Sequence, residues 1–152
     1  MCLSIELDRP EDVLVRGEAH GFQYRVTTNG IGFACGYVRL PAGHPWHGLT
    51  WEDEDLDASC HGGITFNEPD VPCEKPGPDD AYWIGFDCAH AGDGPYFMED
   101  LDPLGRMLTS ILEGSHDVTK VWSPEMVEQE CIDLCRQAQA AQAIPLPGKV
   151  SL

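Results

Sequence analysis

Phe22-Gln-Tyr-Arg-Val-Thr-Thr-Asn-Gly-Ile-Gly-Phe-Ala-Cys-Gly-Tyr-Val-Arg-Leu40 is the stretch that decides the fold. Phe22, Tyr24 and Val26 alternate with Gln23, Arg25 and Thr27, the two-residue period of a strand that buries one face. Asn29-Gly30 follows, and Asn-Gly between strand-like runs is a strong hairpin signal because both residues tolerate positive φ. The return strand should cover residues 32–40 and stop at Pro41. Working outward, residues 13–16 form a weaker strand pattern upstream, and 41–60 form a long loop rich in Pro, Gly, His and acid. Two short strands are expected at 63–66 and 82–88, separated by a loop with four prolines, and a short helix at 101–112.

The C-terminal region switches to the helical period. Ser123 is placed to cap free amides, Pro124 suits the first turn, and Glu125 and Glu128 favour the positive end of the helix. Val127, Cys131, Leu134, Cys135 and Ala138 then fall on one apolar stripe. Cys131 and Cys135 are four residues apart on it, and plain core packing is their simplest role. The expected fold is α+β: a small antiparallel or mixed sheet with a C-terminal helix packed on one face. Residues 1–140 read as a single domain and 141–152 as a frayed tail.

The chain has 152 residues, with 26 Asp+Glu against 9 Lys+Arg, a formal net charge of −17. That balance argues against direct contact with nucleic acid or an anionic membrane, both of which need a basic footprint. Residues 51–102 hold 15 acids and one base, Lys75, so most of the charge lies in one third of the chain. No secretion signal or membrane-length apolar run is present in the sequence. The seven cysteines are scattered with no Cys-x-x-Cys pair, as in a cytoplasmic protein with reduced thiols.

Alternation sorts each expected strand into two faces. Tyr82, Ile84, Phe86 and Cys88 should face the helix, as should Ala34, Val38 and Leu40 on the return strand and Ile64 and Phe66 on the first short strand. The opposite face then gathers Tyr37, Arg39, His61, Gly62, Gly63, Thr65, Trp83 and Asp87, with His90 and Asp93 in the loop beyond. Aromatic walls with a few directional polar groups are the composition of a pocket for a polar small molecule. In that pocket Arg39 and the Gly62-Gly63 amides would hold an anionic group, Tyr37 and Trp83 would stack on a ring, and Asp87, His61 and His90 would read hydrogen-bonding edges. The plainer alternative is a minor second core roofed by the 41–60 loop, with Arg39 paired to Asp87.

His61, Asp87, His90 and Asp93 are also the candidate ligands for a divalent metal such as zinc or manganese, with an open position that would activate water for hydrolysis. Their spacing matches no established metal motif, and no cofactor is otherwise expected. The acidic run at 52–57 lacks the glycine and distant glutamate of a calcium loop. No nucleophile elbow or phosphate-binding loop is present in the sequence.

Four segments resemble those of a family of small uncharacterised phage- and prophage-encoded proteins. They are Gly-Tyr-Val-x-x-Pro-x-Gly-His-Pro at 36–45, His-Gly-Gly-Ile-Thr at 61–65, Tyr-Trp-Ile-Gly-Phe-Asp-Cys-Ala-His-Ala-Gly-Asp at 82–93, and Val-x-x-Glu-Cys-x-x-Leu at 127–134. The resemblance spans about residues 30–136 and is weaker at the N terminus and in 69–80 and 94–120. It implies a phage context and no reaction. Three functions compete: a soluble binding protein for a polar, nucleotide-like ligand that sequesters a host-defence signal, a metal-dependent hydrolase, and an acidic DNA mimic directed at a basic host protein. The first is the leading expectation, and a homodimer is compatible with all three.

Overall fold

The computed structural model describes residues 12–28, 33–70, 80–88, 93–94 and 120–143. Five strands form one antiparallel sheet: β1 (Val13–Ala19), β2 (Phe22–Thr28), β3 (Ala34–Leu40), β4 (Phe66–Asp70) and β5 (Ala81–Asp87), in the order β1-β2-β3-β5-β4. Asp93–Gly94 (β6) and Lys120–Val121 (β7) pair as a separate parallel ladder. One helix among the described residues, α1 (Pro124–Gln142), packs against β1, β2 and β3. The protein is therefore α+β, with a C-terminal helix on one face of a small sheet. The expected Asn29-Gly30 turn, the helix at 101–112 and most of the loop at 69–80 lie outside the described residues; of the tail expected at 141–152, residues 141–142 still belong to α1 and 144–152 lie outside.

The β2–β3 hairpin has the expected faces. Tyr24 pairs with Val38, Val26 with Gly36 and Thr28 with Ala34 on the helical side, while Arg25 opposite Tyr37 and Thr27 opposite Cys35 project the other way. The β1–β2 connection carries no Asn or Asp. His20 (φ 50) and Gly21 (φ 86) turn the chain within two residues between the paired Ala19 and Phe22. Two successive positive φ values give the backbone twist that a tight hairpin needs. β1 thus runs to Ala19, three residues beyond the expected 13–16.

The helix starts as its sequence dictates. Ser123 is extended (φ −70, ψ 159), its side chain accepts from the Met126 amide, and proline follows at the first position. Val127, Cys131, Leu134, Cys135 and Ala138 are all fully buried. They join Phe22, Val26, Val38, Ile84, Phe86 and Cys88 in the main core. Gly36 permits the close approach at its centre: a Cβ there would lie 2.5 Å from the Phe86 ring and 2.7 Å from Cys131 Sγ. Cys131 and Cys135 are packing residues, their Sγ atoms 3.9 Å from the carbonyls of Arg25 and Phe22.

The 41–60 loop corrects one expectation. It does not roof the non-helical face of the sheet. Trp46 and Leu56 are buried in the helix-side core, with Leu49, Ala58 and Cys60 packed against it. His44 is the main clasp: Nε2 bonds the Ala138 carbonyl at 2.9 Å, and Nδ1 accepts from the Trp46 amide at 3.0 Å. Its ring meets Phe22 and Trp46 edge-on. Gln137 then binds both backbone groups of Ser59, at 2.8 and 2.7 Å. The loop is laced to the C-terminal half of the helix because its apolar residues complete the core there.

Candidate functional site

On the non-helical face, the pairing register gathers Arg25 and Thr27 of β2, Cys35, Tyr37 and Arg39 of β3, Trp83, Gly85 and Asp87 of β5, and Phe66, Glu68 and Asp70 of β4. Tyr37, Arg39, Trp83 and Asp87 sit where alternation puts them. Arg25, Thr27, Cys35 and Asp70 are buried although polar or on the supposed outer side.

Gly85 sets the geometry of the centre. A Cβ there would lie 2.6 Å from the Tyr37 ring, so the missing side chain lets that ring lie over β5. Tyr37 in turn meets Phe66 edge-on, with centroids 5.1 Å apart. The Tyr37 hydroxyl interacts with Thr27 and Cys35, and burial, reinforced by Cys35, pushes its pKa well up. The same burial, with Asp87 nearby, raises the Cys35 thiol to about 11. Burial thus favours the neutral hydroxyl and thiol, which present hydrogen-bonding groups on this face.

The charged groups are held in place. Arg25 donates to the Tyr24 carbonyl at 2.9 Å and to Gln23 at 3.3 Å, and its guanidinium lies over the Trp83 ring, 5.8 Å from the centroid. Such a stack is a cation–π contact. Trp83 is 2% exposed, so it is not the open stacking platform expected from the sequence. Arg39 bonds Asp70, not Asp87, at 3.4 Å. Asp87 instead accepts from the Thr65 hydroxyl at 3.4 Å.

The stretch around His61 is the largest departure. The expected strand at 63–66 begins only at Phe66, because Gly62 (φ 72) and Gly63 (φ 81) form a turn and the Gly63 amide donates to the Cys60 carbonyl. That turn uses one of the two amides expected to cradle an anion. Ile64 enters the helix-side core, as expected, and the Thr65 amide bonds the Gly85 carbonyl. Phe66 was expected in the same core but pairs with Gly85 and projects to the other face.

His61 is attached to the helical layer. Its amide donates to Glu130 Oε1 at 3.0 Å and its ring stacks on Trp122 at 4.0 Å. The preceding Cys60 thiol is raised to about 12 by burial and by Glu130. His90 and the side chain of Asp93 lie outside the described residues. Among the described residues no group of three His, Cys, Asp or Glu side chains converges as a metal site would.

Alternation along β2 carried the signal for Arg25, which faces Tyr37 across the hairpin. Asp70 gave none, since it follows Pro69 in what reads as loop. Pro69 is compatible with β4 because that strand lies at the sheet edge. Among the described residues no helix is long and apolar enough to cross a membrane. No family model matches the chain, and neither a curated protein nor a solved structure matches it significantly.

Proposed function

We propose that the chain is a small binding protein that holds a polar, nucleotide-like ligand against the non-helical face of its sheet. The observation that carries this reading is the burial of Arg25, Thr27, Cys35 and Asp70 in a layer with Tyr37 and Trp83, back to back with an ordinary apolar core. Burying charge is costly unless each group is held by partners, so a buried polar layer of this kind is poorly explained by stability alone. The motif resemblance adds a phage context, in which the protein would act in the bacterial host cytoplasm by sequestering a nucleotide signal of host defence. Titration calorimetry with cyclic dinucleotides and ADP-ribose derivatives tests it. Saturable heat with one of them, weakened in Arg25→Gln, supports the reading, and heats equal to buffer throughout remove nucleotide signals from it.

A second reading, docking of a basic host protein, is favoured by Trp51. This side chain is 64% exposed and is followed by the exposed run Glu52-Asp-Glu-Asp55, in a stretch with no Lys or Arg from 40 to 74. Exposed tryptophans are frequent anchors of protein interfaces, and the acids would steer a cationic partner. Pull-down by a basic host protein that falls steeply with salt and is lost in Trp51→Ala supports this alternative. Salt-independent capture removes it.

A further inference from the structure

We propose that Trp83 Nε1 is the atom that reads the ligand, donating to an uncharged carbonyl-type oxygen on a planar ring. The inference rests on the binding reading above and narrows it. Trp83 Nε1 is buried and has no hydrogen-bond partner among the described residues. Around it the other polar groups are engaged: Arg25 with Gln23 and the Tyr24 carbonyl, Arg39 with Asp70, and Asp87 with Thr65. An indole N–H only donates, so what completes it is an acceptor. Leaving such a donor unmade in the interior carries the full cost of its desolvation, which a bound acceptor removes.

The surrounding charges choose the kind of acceptor. Among the described residues of the five strands, the register places Arg25 and Arg39 on this face with Glu68, Asp70 and Asp87. Arg39 is already matched by Asp70, and Arg25 lies over the Trp83 ring. Glu68 stands directly across β4–β5 from Trp83. A phosphate or carboxylate entering beside Glu68 would be repelled by it, whereas a neutral carbonyl would not. The flanking surfaces are aromatic, Tyr37 over Gly85 and Phe66 edge-on to it, which suits a flat ring such as a nucleobase. In this arrangement the base of a nucleotide, not its phosphate, enters beside Trp83.

The test uses the full chain labelled with nitrogen-15, whose four tryptophans each give one indole N–H resonance. The Trp83 signal is the one missing from Trp83→Phe and from protein carrying benzothienylalanine in its place, an isostere without the N–H. Uracil, an uncharged ring with two carbonyl groups, is expected to move this resonance downfield and to saturate. Inorganic phosphate at equal concentration is expected to leave it in place. Benzothienylalanine is expected to weaken uracil binding by about tenfold, since shape is kept and one hydrogen bond is lost. An unmoved resonance with uracil, as for an N–H satisfied only by water, overturns the inference, and so does an equal response to phosphate. If calorimetry finds a nucleotide that binds without moving Trp83, the binding reading stands and this one falls. If no nucleotide binds and the resonance is static, both fall.

Discussion

The two faces of β3 and β5 are made from alternate residues of the same strands, yet they solve opposite problems. On one, Val38, Leu40, Ile84 and Phe86 share one core with the stripe of α1 and are almost wholly removed from water. On the other, Arg39, Tyr37, Trp83 and Asp87 stand among Arg25, Asp70 and Cys35. The first face is held by area and shape, which are non-directional and stabilise in proportion to what is buried. The second is held by directional contacts between groups that would be better solvated outside. Substitutions should therefore separate the two: on the helical face they should cost stability, and on the opposite face they should cost the proposed binding.

The largest effect is expected from Leu134→Ala, which empties the middle of the fully buried helical stripe. Truncation of a buried leucine costs about 2–5 kcal/mol, so urea unfolding should show a loss near the centre of that range. A loss under about 1 kcal/mol would mean that the helix is not the main source of stability. A sharper comparison places one substitution on each face. In Gly36→Ala the new methyl meets Phe86 and Cys131, which have no space to yield, so a loss of about 2–3 kcal/mol is expected. In Gly85→Ala it meets the Tyr37 ring at 2.6 Å and the Gly36 carbonyl at 2.9 Å. Tyr37 is only half-buried but the Gly36 backbone cannot swing aside, so a similar loss of about 2–3 kcal/mol is expected, while any ligand binding at the face is disrupted in this variant alone. Binding left intact in Gly85→Ala would contradict this division of roles.

How much of this was legible in the sequence also divides by face. The helical face could be read almost residue by residue: all five residues of the α1 stripe, and Tyr82, Ile84, Phe86 and Cys88 of the β5 region, join the helix-side core where periodicity places them, although β5 is buried on both faces. The other face was legible along β2, β3 and β5. Its β4 members were hidden because Gly62 and Gly63, at positive φ, delay the strand to Phe66 and change its parity, while Pro69 disguises an edge strand as loop. His61 was misassigned to this face for the same reason: a two-residue turn, not a strand, separates it from Ile64. The β1–β2 turn has a weaker local signal, His20-Gly21 in place of the Asn-Gly or Asp-Gly that marks a tight hairpin. Trp83 kept its face and lost its expected exposure, since the stack of Arg25 depends on a long-range register that no local pattern reveals.

The smallest expected effect concerns the clasp that keeps the 41–60 loop on the helical side. His44 is buried, with Nε2 bonded to the Ala138 carbonyl and Nδ1 accepting from the Trp46 amide, so only the neutral ring satisfies both contacts. Desolvation, with a lesser contribution from His47, lowers its pKa below the ordinary 6.5 despite the opposing Ala138 bond. The native state thus binds this proton less readily than the unfolded chain does. Its stabilising contribution is complete above pH 6.5 and declines as pH falls below that value, until the native ring itself protonates. One proton limits the loss to about 0.8 kcal/mol at pH 6 relative to high pH. In His44→Asn the side-chain oxygen can still accept from the amide two residues on, but nothing titrates there. The slope of stability between pH 7.5 and 5.5, measured by urea unfolding above the range where carboxylates protonate, should therefore flatten in the variant by up to one proton. An unchanged slope would mean that the clasp does not titrate on unfolding, and that the loop is held by Trp46 and Leu56 alone.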